Sequence, residues 1–175
     1  MKAILMSHGK YTSKLGRKLV AIIKERDTGL KVYYDHGDYS DPNYSTLVCE
    51  PGLFLNDSRL AIADIILVEE ATGKVKVVCQ VEEGKKHATK ISGHMITFLI
   101  SERIHTIHGD YDLTEDTILL IALSSIKQAE LVKERVKNLL KPEFRSRIEK
   151  IQILGNNEIK NLIDDLEKEF LKYID

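Results

Sequence analysis

The chain has only two cysteines, Cys49 and Cys79, and 6% aromatic residues. Two thiols cannot build the disulfide framework of a small secreted scaffold, and their spacing is not that of a CxxC redox or zinc pair. Cys79 falls in the middle of an apolar run and reads as a small buried hydrophobe. No apolar run approaches the roughly 20 residues of a membrane-spanning helix. The start, MKAILMSHGKY, has too short an apolar stretch for a secretory signal. The expectation is a cytoplasmic protein with no membrane partner. An excess of charge of one sign is lacking too: 26 Lys and Arg face 27 Asp and Glu, a net charge of −1. Binding to nucleic acid through overall charge is thereby excluded, and any such contact needs a local basic patch. Gly-rich phosphate loops, GxSxG and Walker signatures are absent as well.

What is present is a 175-residue chain, 43% apolar and 30% charged, enough for one domain burying roughly 70% of its unfolded surface. Thr12 or Ser13 is placed to cap a helix running to about Asp27, with Leu15, Leu19, Ile22, Ile23 and Arg26 on one face. LKVYYD (30–35) reads as a strand. The irregular stretch 36–57 carries one more strand, 45–50, before Pro51-Gly52. Two strands at about 59–69 and 74–82 follow. A helix over Lys86 to about Glu102 has Ile91, Met95, Phe98 and Leu99 on its apolar side. The acidic stretch 108–116 reads as a loop, and TILLIALS (117–124) as a strand buried on both faces. An amphipathic helix over 126–140, a strand over 149–155 and a helix from Asn156 or Asn157 to about Tyr173 complete the chain. The order αβββαβαβα predicts one α/β domain over residues 1–175, with a mixed sheet (antiparallel meander plus parallel strands) flanked by helices.

Within this plan one hairpin stands out. RLAIADIILVEEATGKVKVVCQVEE (59–83) places Asp64 in one apolar run and Gln80 and Glu82 in the other. A buried carboxylate is costly unless it is paired or binds a metal. A three-residue loop, Ala71-Thr72-Gly73, makes residues whose numbers sum to 144 face each other, which sets Asp64 opposite Gln80 with Glu82 one same-face step on. That spacing suits oxygen ligands of one divalent cation. The alternative is a strand pair with one solvated face, on which all three are ordinary exposed residues.

A helix, a meander bearing Asp on one strand and (D/E)-x-K on the next, a second helix and a further strand together resemble the PD-(D/E)XK nuclease superfamily, the restriction-endonuclease-like fold. The resemblance covers about residues 12–124 in element order and is sharpest over 59–100, leaving a C-terminal βα extension, 126–175. The family's Asp maps onto Asp64, its Asp/Glu onto Gln80 and its Lys onto Glu82, so the second strand departs from the pattern at both positions. The resemblance implies a Mg2+-dependent nuclease, with Mn2+ as the alternative ion, hydrolysing DNA phosphodiesters. Asp64, Glu82 and Gln80 would be the metal ligands, and Lys90 or Lys86 would replace the strand lysine. Glu25, in the first helix, is the candidate for a further acidic ligand. Lys14, Arg17, Lys18 and Lys85 are candidate phosphate contacts, Tyr33, Tyr34, Tyr39 and Tyr44 candidate base-stacking rings, and His87 and His94, seven apart on one helix, candidate acids or bases. A homodimer through helix 126–140 is compatible with such an enzyme. Two other readings stay open: a nuclease-like binding module without catalysis, and an unrelated α/β enzyme acting on a small molecule.

Overall fold

A computed structural model of the chain describes residues 9–50, 61–82, 88–123 and 150–174, with positions 130, 134 and 138. Its elements are α1 (Lys10–Arg26), β1 (Leu30–Tyr34), β2 (Leu47–Glu50), β3 (Ala61–Ala63), β4 (Ile65–Glu69), β5 (Lys74–Val81), α2 (Ala88–Ile100), β6 (Arg103–Thr106), β7 (Gly109–Leu123), β8 (Ile151–Gly155) and α3 (Ile159–Ile174). They build a mixed sheet in the order β1-β4-β5-β7-β6-β2-β3, with β8 beside β7. The β1–β4–β5 meander is antiparallel, and β5 then pairs parallel with β7 across the α2 crossover. The expected α/β class with antiparallel and parallel strands therefore holds.

Helices cover both faces. On one, Leu15, Leu19 and Ile23 of α1 and Leu162, Leu166 and Phe170 of α3 pack on Val32, Ile65, Leu67, Val77 and Leu120. On the other, Ile91, Met95, Phe98 and Leu99 of α2, the face read from the sequence, pack on Ile66, Val78, Leu119 and Ile121. Alternate residues of β4 thus feed two different cores, as the two-residue period of a strand requires.

Several local expectations change. Gly9, with φ 82°, begins α1, while Thr12 and Ser13 lie buried inside it, so neither is its cap. Most of the stretch expected as an acidic loop is strand: β6 and β7 form a hairpin, and Glu115 and Asp116 stand exposed where β7 bulges between its pairings with Val75 and Val77. The β4–β5 turn holds four residues, 70–73, rather than three, and closes with Glu69 opposite Lys74. A bulge then restores the expected register, with Ile65 opposite Cys79 and Leu67 opposite Val77. The sum of 144 holds at the end of the hairpin that matters, by a different turn. Gly73 is left-handed (φ 68°) with no neighbour within 4 Å of an added Cβ. Gly73→Ala should therefore cost about 1 kcal/mol through backbone strain alone, read as a Tm lower by about 2–4 °C.

The predicted strand 59–69 is interrupted. Asp64 separates β3, which pairs with β2, from β4, which pairs with β1 and β5. The far end of the sheet thus returns to the start of β4. Of the helix expected over 126–140, positions 130, 134 and 138 are helical and exposed; its role as a dimer contact lies outside the described residues.

Candidate carboxylate–histidine site

Asp64 is held at this break by backbone on both sides. Its N–H donates to Cys79 O (3.0 Å), and its carbonyl accepts from Asp35 N–H (2.9 Å). The carboxylate then reaches across to β5, where Oδ2 accepts from Val81 N–H at 2.7 Å. Gln80 is buried, and its Nε2 donates to Ile62 O at 2.7 Å. The amide therefore ties β5 to β3, a structural bond that a carboxylate at this position cannot make. Glu82 is only 3% exposed; its N–H donates to Ala122 O, and its Oε1 lies 3.0 Å from Nε2 of His94 on α2.

Two carboxylates thus meet at one end of β4 and β5. Burial pushes the Asp64 carboxyl up to about 6; the Val81 N–H bond and the charge of His36 pull it down, and the charge of Glu82 adds to the rise. A desolvated pair of like charges is an arrangement that proteins keep at functional sites more often than in plain structural cores.

His36 is the residue that sequence reasoning missed. Its Nε2 lies 3.7 Å from Asp64 Oδ1 and 3.9 Å from Asp35 Oδ2. β1 pairs with β4 with Tyr34 opposite Ile65, which brings the next residues of the chain, Asp35 and His36, beside Asp64; this long-range pairing has no local signal in the sequence. His36 also has a left-handed backbone, φ 62°, uncommon for a non-glycine residue.

The remaining candidates fall as follows. Lys90 lies on α2 by its backbone, and its side chain, like Lys85, Lys86 and His87, falls outside the described residues. Glu25 stands exposed near the C-terminal end of α1, whereas Gly9, at the other end, packs on His36. The length of the helix, about 1.5 Å per residue, separates Glu25 from the site, so it is no ligand there. Lys14 and Arg17 are exposed, and the Arg17 charge acts on Asp38 and Asp41 of the loop after β1. Lys18 is paired with Glu167 at 2.5 Å, so a phosphate contact would have to break that bond. Tyr33 and Tyr34 are core residues: the Tyr33 hydroxyl bonds that of Tyr111 at 2.9 Å, and the Tyr34 hydroxyl donates to Asp41. Tyr39, 88% exposed against Tyr44, retains an open ring face.

Among the described residues no group of three His, Cys, Asp or Glu side chains is arranged to hold a metal ion. Mg2+ is ordinarily bound by one or two carboxylates together with waters and substrate phosphate, rather than by an all-protein cage. Asp64 and Glu82 supply that pair, and the like-charge repulsion between them is what a cation relieves.

No family model, curated protein or solved structure matches this chain.

Proposed function

We propose that this chain is a Mg2+-dependent nuclease that hydrolyses DNA phosphodiesters at Asp64 and Glu82. The observation that carries this reading is the convergence of a half-buried and a buried carboxylate, Asp64 and Glu82, at one end of adjacent strands. The element order supports it: a helix, an antiparallel meander bearing the acids, a crossover helix and a parallel strand are what the restriction-endonuclease-like resemblance implies.

In this reading Asp64 and Glu82 hold the ion. Bound Mg2+ neutralises phosphate charge and lowers the pKa of a coordinated water. The Val81 N–H and His94 each engage one oxygen of an acid and so restrict its orientation. The Gln80 amide oxygen and the Val81 carbonyl are the further neutral donors of the same strand. The Gln80–Ile62 bond holds β3 against β5 and so fixes the break that carries Asp64. Lys14 and Arg17 on α1 offer phosphate contacts outside the centre, each removing roughly one unit from the salt dependence of binding when substituted.

The test is cleavage of plasmid and oligonucleotide DNA with Mg2+ or Mn2+ by the wild type, Asp64→Ala and Glu82→Ala. Cutting that needs metal and falls by about 10³-fold or more in both variants is the expected result, on the scale of losing a group that stabilises the transition state. Cutting that survives both substitutions would sink it.

One observation favours a second reading. Gln80 is committed to Ile62, and a neutral amide is a poorer partner for a hard cation than a carboxylate. A nuclease-like module that binds DNA without cutting it would show affinity but no turnover, and its affinity would survive Asp64→Ala.

A further inference from the structure

The chain places a histidine against Asp64 at a cost in backbone strain, and the surroundings keep it there. His36 follows β1 in a left-handed conformation, and its own N–H is bound by the Asp35 carboxylate at 2.7 Å. Its ring rests on Gly9: a Cβ built at Gly9 would come within 2.2 Å of His36 Cγ. Gly9 itself has φ 82°, so the start of α1 is shaped in two ways to receive that ring. Non-glycine residues held left-handed persist only where the surroundings over-determine them, and they cluster at functional sites.

The position is also open. The His36 side chain is 31% exposed, against 16% for Asp64 beside it. The imidazole is thus the more solvent-accessible of the two neighbouring groups. At 3.7 Å from Asp64 Oδ1 and 3.9 Å from Asp35 Oδ2, Nε2 lies within ion-pair range of both carboxylates and beyond direct hydrogen-bond distance of either. The strand itself lacks a donor: positions 80 and 82, where the resemblance would set an acid and a lysine, are Gln and Glu, and both are engaged, with Ile62 and His94.

We propose that His36 is a substrate-contacting residue of this site, its Nε2–H donating a hydrogen bond to a non-bridging oxygen of the scissile phosphate. The contact rests on the nuclease reading above and extends it: it supplies from the loop after β1 the donor that the strand lacks. Preorganised donors of this kind are most effective when their position is fixed before substrate arrives, which gives the strained backbone and the Gly9 seat a purpose.

The decisive variant is His36→Gly, which suits the left-handed backbone and leaves a gap the size of the ring. Its Tm should match or exceed that of the wild type. In the metal-dependent cleavage assay kcat should fall about 100-fold while KM stays within about threefold, as expected for a transition-state donor. Added imidazole should restore at least about a tenth of the lost rate by filling the gap, a response that a merely structural role does not give. Gly9→Ala, which touches no substrate but intrudes on the ring, should lose activity without being rescued by imidazole. Wild-type cutting that is matched by His36→Gly overturns the His36 contact and leaves the nuclease reading standing. A wild type that binds labelled DNA in Mg2+ without cutting it moves the readout to affinity, which His36→Gly should weaken about 10-fold; unchanged affinity overturns the contact. A wild type that neither cuts nor binds overturns both.

Discussion

Asp64→Asn is expected to stabilise the fold at pH 8 and to abolish metal-dependent cleavage in the same protein. The Asp64 carboxyl is pushed up to about 6 chiefly by burial, against about 3.9 in an unfolded chain. A carboxyl that resists ionisation in the fold holds its proton more tightly in the native state. The contribution is therefore fully present below about pH 4, is lost as pH rises through about 6, and leaves the protein less stable above that by about 3 kcal/mol. Asparagine never ionises, and its carbonyl still accepts from Val81 N–H, so it should recover about 2 kcal/mol, or roughly 4–8 °C in Tm for a chain of this size. The difference between wild type and variant should shrink to zero as the pH falls toward 4. Thermal melts in EDTA across pH 4–8 measure this directly, and a difference that does not change with pH would refute it. Millimolar Mg2+ or Mn2+ should raise the wild-type Tm at pH 8 and leave that of Asp64→Asn unmoved, since an ion stabilises only the state that binds it. A gain in stability coupled to a loss of function is the signature of a site kept under strain for its chemistry.

Gly16→Ala should do the opposite, damaging fold and site together. A Cβ at Gly16 would stand 2.3 Å from Cγ and 2.8 Å from Cβ of Tyr34. Those atoms lie next to the strand backbone, so no rotation of a flexible tip relieves the clash. Tyr34 is fully buried, and its hydroxyl is anchored on Asp41. Either α1 backs away from β1 or the tyrosine leaves its place. Overpacking of this kind costs about 1–3 kcal/mol, occasionally more. The clash here falls on atoms that cannot give way, so a loss of about 3 kcal/mol and a Tm lower by about 6–12 °C are expected. The loop that carries His36 hangs on Tyr34 through the backbone bonds Tyr34 N–H to Asn43 O and Ser45 N–H to Tyr34 O. Displacing the ring should therefore also loosen that loop, seen as faster hydrogen exchange over residues 35–44. A melting curve that overlays the wild type would remove the basis for this prediction.

The elements were legible where their periodicity was strong. The apolar positions of α2 and the leading positions of α1 could be read at 3.6-residue spacing, and the site register followed from the hairpin because a one-residue slip would have turned the apolar set outward. The turn itself was misread: a four-residue loop plus a bulge gives the same register at Asp64 as a three-residue loop, so the pattern near the site cannot distinguish them. The long β7 was hidden by its first half, GDYDLTED, which alternates between buried Tyr111 and Leu113 and acidic neighbours, and whose bulge interrupts the two-residue period. Non-local pairing left no local trace. Nothing in β1 or β3 announces that β3 will turn away to β2 at a single residue, or that His36 will arrive beside Asp64 from outside the hairpin. The Glu82–His94 pair was half legible: both residues stood out, but the contact depends on how α2 sits on the sheet.

The break at Asp64 also bears on the order in which this chain can fold. The β4–β5 and β6–β7 hairpins close through short turns, whereas β1–β4, β2–β6, β5–β7 and β7–β8 join segments far apart in sequence. Short loops close at lower entropic cost, so local hairpins are favoured early and distant pairings set the pace. Asp64, Gln80 and Glu82 all sit at the end of an early hairpin. His36 comes with β1, and His94 with the packing of α2. The two acids are therefore brought near one another before the histidines that face them are in place, and the nascent hairpin carries a like-charge conflict that the later contacts reduce.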